Sequence, residues 1–332
     1  MIKKFTMNIQ FKQKELSKMN NIVKFNPVLD ATRELFKQSI ADSPLDFKVS
    51  TDGILLKRYK DLVPECSDKK AVIKHDDDGN PVDWWVVGSD YHVKSHNKYF
   101  GEIHNALLDN IEPAHLEGVE IDTRSSRGGR WGMQQFVFPN VNIPIETKTG
   151  HNTTIHMRIN TWTALDSMTA NNYIVGAYDG FCTNGMVFSQ LGADGYTKRY
   201  KRNTKGFDLA TFTADLIDSV EYFYRQSKEF QQMADSSLAL SQGIEFIKNV
   251  KSFSKAKEKA MIELYTREVA DRGPNVFSLH SALTNYSSHR NDDLFRTRKT
   301  KHEDVEAEIL LKREEEIINV INTQQFQSLI AA

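Results

Sequence analysis

The residues best suited to chemistry lie in one basic and aromatic run between Tyr196 and Gly206. Its cations alternate with aromatic rings and no acidic residue interrupts them: Tyr196, Lys198, Arg199, Tyr200, Lys201, Arg202 and Lys205. Lysine and arginine neutralise phosphates and release counterions, while aromatic faces stack on unpaired bases. The run therefore predicts nucleic-acid binding, and the alternative is a solvated basic loop that precedes a helix.

A second basic segment runs from Arg124 to Trp131 and also contains Arg127 and Arg130. The pair Gly128-Gly129 predicts a hairpin tip, at which backbone amides and guanidinium groups would grip a phosphate together. We expect Trp131 to add a stacking surface. The alternative is a plain tight turn. The two basic segments support each other only if the fold places them on one face.

The other polar clusters are weaker candidates for a binding or metal site. Residues 296–302 contain several cations and are interpreted as a solvated charge run or a flexible arm. His92 and His96 are spaced for a helical metal site, but their segment is expected to be a strand, which disfavours one. The run from Asp76 to Asn80 resembles a calcium loop only superficially and predicts a turn. We expect no metal site and no cofactor.

Catalytic residues are not apparent in the sequence, and we expect a protein that is not an enzyme. Asp122, Glu146 and Lys148 imitate the carboxylate, carboxylate and lysine set of metal-dependent nucleases. Such triplets are frequent by chance, so a nuclease is a distant third hypothesis. No phosphate-binding loop or dinucleotide fingerprint is present.

The elements that must position these residues follow from hydrophobic periodicity. A helix is expected over 30–40, and residues 51–190 alternate with a period of two, which predicts one mixed or antiparallel sheet. The expected strands cover 71–75, 82–93, 118–126, 130–139, 153–165, 171–181 and 185–190. A short helix after Asn97 is expected to interrupt them. The predicted fold class is α+β, with helices packed on one face of the central sheet.

Beyond Phe207 the spacing of apolar residues becomes helical. Helices are expected from 208 to about 230, over 237–251, over 255–270 and after Asn275, with a final amphipathic helix over 303–330. The predicted organisation is an N-terminal arm and helix (1–50), a β-rich core (51–195), a helical part completing the core (196–302) and a C-terminal helix (303–332). That last helix is a candidate for self-association, so a homo-oligomer is possible.

Bulk composition places the chain among ordinary globular proteins. It has 332 residues, of which 39% are hydrophobic and 26% charged, with a formal net charge of −1. Cys66 and Cys182 share no motif, which disfavours a disulfide scaffold or a zinc ribbon and suits a reducing compartment. No apolar run has the length of a membrane span, and the N-terminus lacks a signal-peptide stretch. We expect a cytoplasmic protein without a membrane partner.

Several stretches, taken in order, resemble a known family. SDYHVKSHNKYFGEIHNALL (89–108), GGRWGMQQFVFP (128–139), NNYIVGAYDGFCTNGMVFS (171–189) and SLHSALTNYSSH (278–289) are similar to the domain-of-unknown-function 932 family. The resemblance covers about residues 50–290, and its most telling element is Gly180–Gly185. The family is carried by phages, prophages and plasmids. The resemblance implies DNA replication, recombination or host take-over as the setting, and it brings no catalytic residue.

Two hypotheses of different classes remain open. The first is a sequence-tolerant binding protein for single-stranded DNA in recombination or replication, of the annealing type, with the run from Tyr196 along the phosphates. The second is a protein-interaction or inhibitor module that acts on a host factor, in which the basic run would meet an acidic protein.

Overall fold

The computed structural model describes residues 26–57, 64–181, 184–188, 197–199, 209–289 and 305–330. Its first element is helix α1 (Pro27–Ala41), which begins where the Asn26 side chain accepts hydrogen bonds from the next turn. The expected helix over 30–40 is confirmed. Phe36 and Ile40 lie on its buried face, as their spacing predicts.

Three strands follow and form a small antiparallel sheet in the order β1-β2-β3. They are β1 (Lys48–Lys57), β2 (Pro64–His75) and β3 (Pro81–Gly88). Between β2 and β3 the Asn80 amide donates to the Asp76 carboxylate over 2.7 Å, and Gly79 takes a φ of 85°. The predicted turn over Asp76–Asn80 is confirmed, because the aspartate closes it and glycine tolerates the left-handed backbone.

Six further strands form a second antiparallel sheet with the path β4-β5-β6-β7-β8, and β9 pairs with β7. They are β4 (Glu120–Ser126), β5 (Trp131–Ile145), β6 (Thr153–Ala164), β7 (Asn172–Asp179), β8 (Gly185–Met186) and β9 (Thr197–Arg199). The strands between 51 and 190 therefore divide between two sheets, where the sequence predicted one. The division falls at helix α2 (His96–Asn110), which separates β3 from β4.

Helices are the other regular elements of the described chain, so the predicted α+β class with antiparallel sheets is confirmed. They are α2, α3 (Pro113–Leu116), α4 (Leu209–Ile217), α5 (Ser219–Asp235), α6 (Leu240–Asn249), α7 (Lys255–Arg272), α8 (Val276–Ser288), α9 (Glu306–Ile321) and α10 (Gln324–Ile330). Ser95, and not Asn97, caps α2. Asn275 caps α8 as its position after Gly273-Pro274 predicts.

Helices cover both faces of the larger sheet, where the sequence predicted helices on one face only. Adjacent residues of a strand point to opposite faces, and the neighbours Gln134 and Gln135 of β5 show this directly. The Gln134 amide contacts His104 of α2 at 2.8 Å. Gln135 lies on the other face, which it shares with Arg158, a residue bonded to Glu314 of α9. The sheet is therefore the middle layer of the fold.

The expected C-terminal helix is divided into α9 and α10, with a break at Asn322 and Thr323. The apolar stripe of α9 is buried against the chain itself, since Ile317 and Ile321 are both 0% exposed and belong to the main core. Folding buries this stripe within the chain, so the stripe is not available as an interface between copies. Among the described residues, no helix is long and apolar enough to cross a membrane.

Candidate functional site

The arginines of the second basic segment are all paired with carboxylates. Arg124 donates to Asp122 at 2.6 Å within strand β4. Arg127 forms a two-pronged contact with Glu308 of α9, at 2.8 and 3.1 Å. Such bidentate pairs are among the stronger charge-assisted contacts. A phosphate at this position would have to displace a carboxylate from each guanidinium group.

The hairpin tip that carries Arg130 docks against the small sheet. Arg130 donates to both oxygens of Asp83 in β3, at 3.0 and 3.1 Å, and Lys74 donates to the carbonyl of Gly128 at 2.9 Å. Gly128 and Gly129 have positive φ, as the predicted turn requires. The tip therefore joins the two sheets, and this structural role accounts for its charges without a ligand.

Trp131 does not offer a stacking surface. Its side chain is only 4% exposed, and its indole nitrogen donates to the Asp166 carboxylate at 3.1 Å. The sequence predicted an exposed ring beside a flexible tip. Instead, the ring is buried at the start of β5, and helices cover both faces of that sheet. This burial argues against direct base stacking by Trp131.

The run from Tyr196 to Gly206 is described only through β9. Of its predicted binding residues, Lys198 and Arg199 lie in that strand, and Tyr196, Tyr200, Lys201, Arg202 and Lys205 lie outside the described residues. The cluster over 296–302 also lies outside them. What the structure adds is the backbone register of β9 against the rest of the sheet.

That register places the two basic segments at the same end of one sheet. Arg199 is opposite Asn172 of β7, which is opposite Trp162, then Met133, then Arg124 of β4. One cross-strand row thus connects the two basic segments, and four strand spacings separate its ends by about 19 Å. The residues between the two segments, Asn172, Trp162 and Met133, are buried, so a shared binding face for the two segments stays a prediction.

The most exposed aromatic surface is one that the sequence interpretation missed. On the outer face of the small sheet, Trp84 is 64% exposed, with Val82 at 55% and Val86 at 43% on either side. Their neighbour Trp85 points the other way and is 5% exposed. The signal was present in the sequence, because two consecutive tryptophans in a strand cannot both face the core.

Cations border this surface, which we call the Trp84 face and define by Val82, Trp84 and Val86. Lys69 is opposite Gly88 in register and Lys48 is opposite His75, so both lie on the same side of the sheet as Trp84. The His75 ring contacts Ser50 at 2.7 Å on that side. The surface thus combines an open indole with two lysines and with Asp52, which is opposite Ala71 on the same side.

A buried polar cluster is a second feature that the sequence did not indicate. Arg158 of β6 and Glu314 of α9 form an ion pair at 2.6 Å, and the side chains of both are 2% exposed. Asn160 donates to the same carboxylate oxygen at 2.9 Å. Burial raises the pKa of the Glu314 carboxyl, and Arg158 opposes that rise. These residues border a cavity beneath α9.

The nuclease triplet is not assembled. Asp122 is opposite Gln135 in β5, whereas Glu146 follows the end of that strand, roughly 30 Å further along it. The amine of Lys148 donates to the carbonyl of Asp235 at 2.8 Å. Within the described part of the chain, no group of three or more His, Cys, Asp or Glu residues is arranged to hold a metal ion.

The two histidines considered for a metal site have different surroundings. His92 is exposed, whereas His96 is buried and contacts the carbonyl of Gly129 at 2.6 Å. Burial lowers the pKa of His96 to about 4, so its ring is neutral near pH 7. Its role is to hold the hairpin tip against α2.

Comparisons with known proteins identify no relative: no family model, curated protein or solved structure matches the chain. The resemblance to the domain-of-unknown-function 932 family therefore stays a prediction. The case for a function depends on the Trp84 face, the cross-strand row and the buried cluster.

Proposed function

We propose that this protein binds single-stranded nucleic acid, with DNA as the expected form, and tolerates many sequences. The observation that carries the proposal is the Trp84 face. An indole that is 64% exposed between two exposed valines leaves apolar area in water, and contiguous apolar patches of this kind are typical of binding surfaces. Every base has a π-face, so stacking on Trp84 would not select a sequence.

The form of the surface favours single strands over duplexes. Bases in a duplex are already stacked and present only their edges, whereas unpaired bases can lie flat on an aromatic ring on a sheet. Lys48 and Lys69 lie on the same side of the sheet as the indole, as does Asp52 opposite Ala71, and lysines of this kind neutralise phosphates. A short strand crossing the small sheet would meet both groups.

The basic run of β9 extends the proposal. Lys198 and Arg199 lie in β9, and Arg199 is in the row that crosses the larger sheet to Arg124. We propose that Lys198, Arg199, Lys201 and Arg202 track the phosphates. We do not assign Arg124, Arg127 and Arg130 to phosphate binding, because the guanidinium group of each already contacts a carboxylate. The setting in replication or recombination of a mobile element depends on the family resemblance alone.

The test is fluorescence anisotropy with a labelled oligo-dT strand and the full chain. Affinity should fall steeply between about 50 mM and about 200 mM salt, because phosphate contacts release counterions. Trp84→Ala should weaken binding at least about fivefold, since one base stack is worth about 1–3 kcal/mol. Tyr224→Ala is the matched control, because Tyr224 is a partly exposed aromatic residue on α5.

The charge-reversed variant Lys198→Glu, Arg199→Glu, Lys201→Glu, Arg202→Glu should lose binding and keep its thermal stability. Loss of both would mean that the segment is structural. Absence of binding near 50 mM salt, or an affinity that ignores salt, would remove the proposal. If Trp84→Ala and the unaltered protein bind the strand with equal affinity, the Trp84 face is not part of the binding surface.

A protein partner is the second candidate, because Val82 and Val86 give the same surface an apolar character that suits a protein interface. Capture of partners from a host lysate after nuclease treatment separates the two candidates. Partners that survive nuclease and are lost with Trp84→Ala favour the protein interface. Partners that disappear with the nucleic acid favour the first proposal.

A further inference from the structure

Strand β3 lies at the edge of the small sheet, because β2 is its one strand neighbour in the described chain. In an antiparallel pair, residues that bond to the neighbouring strand alternate with residues whose N–H and C=O groups point away from it. The Ser89 amide donates to the carbonyl of Asp68 at 2.8 Å, which marks these two as bonded residues. The register then makes Trp85 a bonded residue as well, and Trp84 and Val86 non-bonded ones. The backbone groups of Trp84 and Val86 therefore point outward, away from β2.

One of these outward backbone groups is occupied and three are open. The Trp84 amide donates to the Asp83 carboxylate at 2.8 Å. Within the described part of the chain, no hydrogen bond reaches the carbonyl of Trp84 or the amide and carbonyl of Val86. Open groups in a row on an edge strand are a template for pairing with a further strand.

The opposite edge of the same sheet is protected against such pairing. Strand β1 carries exposed charges at Lys48 and Asp52, and its register with β2 shifts between Gly53 and Leu55. The Asp52 carboxylate also accepts from the Gly53 amide at 2.8 Å. Charged side chains and bulges are the features by which natural proteins prevent edge strands from pairing. This edge is therefore unsuited to a further strand.

Strand β3 lacks these features over most of its length. Pro81 and the register shift with β2 lie at the end of β3 next to the turn. The one charged residue of the strand, Asp83, is bonded to the hairpin tip. From Trp84 to Gly88 the strand carries no charge, and the side chains of Trp84 and Val86 are 64% and 43% exposed. An apolar, uncharged and exposed edge strand is expected to pair with another strand.

We propose that the outer edge of β3 pairs antiparallel with β3 of a second copy of this chain. A strand that pairs antiparallel with itself satisfies a two-fold axis, so both copies use the same surface. In the register that places this axis at Trp85, Trp84 is opposite Val86 of the second copy, and the open amide of Val86 meets the open carbonyl of Trp84. The exposed apolar side chains then cover each other, and the uncharged segment does not repel its own copy.

This pairing ends at two copies. Each β3 has one open edge, which the other copy occupies, and the outer edges that remain are the two protected β1 strands. A two-fold axis perpendicular to the sheet keeps the same face of both copies on the same side. The two Trp84 faces therefore join into the surface of one six-stranded sheet. The proposal concerns assembly and does not depend on nucleic-acid binding.

The test is sedimentation velocity of the full chain after nuclease treatment, in about 500 mM salt, so that nucleic acid does not bridge copies. One strand pair is a small interface, so we expect a reversible equilibrium of monomer and dimer with a dissociation constant of roughly 1–100 µM. A chain that is still monomeric at roughly 500 µM would overturn the proposal. Growth beyond the dimer would overturn it as well.

Val86→Pro should raise the dissociation constant of the dimer at least about tenfold, because proline has no N–H to donate to the second copy. That amide has no partner within the described chain, so the variant loses no hydrogen bond of the monomer. Val86→Thr keeps the amide and the β-branched shape and is the matched control, which should dimerise far more tightly than Val86→Pro. Equal dimerisation of the two folded variants would contradict the proposed pairing.

Val86→Lys decides the question if Val86→Pro fails to fold. Lysine on an edge strand is a feature that natural proteins use against pairing, so this variant should stay monomeric where the unaltered protein dimerises. Ile217→Lys is the matched control, because Ile217 is an aliphatic residue on α4 that is 59% exposed. Dimerisation of Val86→Lys as strong as that of Ile217→Lys would overturn the proposal.

A strand from a different protein is the other possible occupant of this edge. A monomeric chain that captures a host protein, and loses it in Val86→Pro, would overturn pairing with a second copy and assign the edge to that protein. Dimerisation without binding of oligo-dT supports the proposal and removes the proposed function. Binding of oligo-dT by a chain that stays monomeric overturns the proposal, while the proposed function stands.

Discussion

Arg272 and Arg158 are both buried in ion pairs with carboxylates, and their surroundings differ. Arg272 ends helix α7 with a side chain that is 0% exposed, and it pairs with Asp179 and with Glu268, the latter at 2.9 Å. Phenylalanine rings at positions 181 and 277 lie 5.4 and 5.2 Å from its guanidinium group. Arg158 is almost as buried, but it borders an open volume of about 290 Å³.

The fold packs closely against both guanidinium groups. A side-chain carbon added at Gly150 would lie 2.3 Å from the backbone of Arg272, so no ligand fits there. Around Arg272 the fold itself supplies the counter-charges and the packing. Around Arg158 the packing is as close on one side, since a side-chain carbon added at Gly185 would lie 2.2 Å from its guanidinium group. The two sites differ in their counter-charges, because Arg272 contacts two carboxylates, whereas Arg158 contacts one and borders the cavity.

The largest effect is expected from Arg272→Met. Removing the guanidinium group leaves two buried carboxylates without their cation, which should lower the free energy of unfolding by about 3–5 kcal/mol. Urea denaturation measures the loss. Arg267→Met on the same helix is the control and should cost under about 0.5 kcal/mol, because the Arg267–Glu263 pair is exposed at 59% and 46%. Similar losses in both variants would contradict the structural role.

A smaller loss is expected from Arg158→Met, about 1–3 kcal/mol by the same measurement. Water can enter the cavity beside Glu314, and that carboxyl, whose pKa burial already raises, can take up a proton. The double variant Arg158→Met, Glu314→Leu should recover much of the loss, since both charges are then absent. A loss as large as that of Arg272→Met would remove the distinction between the two sites.

The third effect concerns a pair at the edge of the same helix α9 and depends on pH. Arg127, followed by Lys312, lowers the pKa of Glu308 to about 2 from its ordinary value of 4.5. The ionised form is therefore stabilised by folding, and this contribution is present above pH 4.5 and lost as the pH falls toward 2. Screening by solvent limits it to about 1–2 kcal/mol.

Glu308→Gln should accordingly be less stable than the unaltered protein at pH 7, and the difference should shrink at about pH 3. Urea denaturation at both pH values measures it, with exposed Glu117→Gln as the control. A difference that is constant with pH would mean that Glu308 acts through packing and not through its charge.

Much of the local structure was predictable, because its causes lie in neighbouring residues. In the turn over Asp76–Asn80, the Asp76 carboxylate accepts from the Asn80 amide and Gly79 takes a positive φ. Asn275 caps α8 directly after Gly273-Pro274. The outward direction of Trp84 was also within reach, since alternation in a strand assigns one of two adjacent tryptophans to the surface. Short-range rules determine these features, whatever the rest of the chain does.

The division of the strands between two sheets was not predictable in the same way. Alternation identifies a strand, but it does not say which strand will pair with it. β9 supplies the clearest example, because its three residues join β7 and thereby place Arg199 in one row with Arg124. A local pattern could not have located that row.

The sequence by itself determined the α+β class, the main turns and the amphipathic helices, because periodicity and turn chemistry act over a few residues. Only the tertiary structure decided which charged side chains pair with each other. Arg127 meets Glu308, and Arg158 meets Glu314, across 181 and 156 positions of the chain. Pairing over such separations depends on how layers pack, so a local sequence pattern does not predict it.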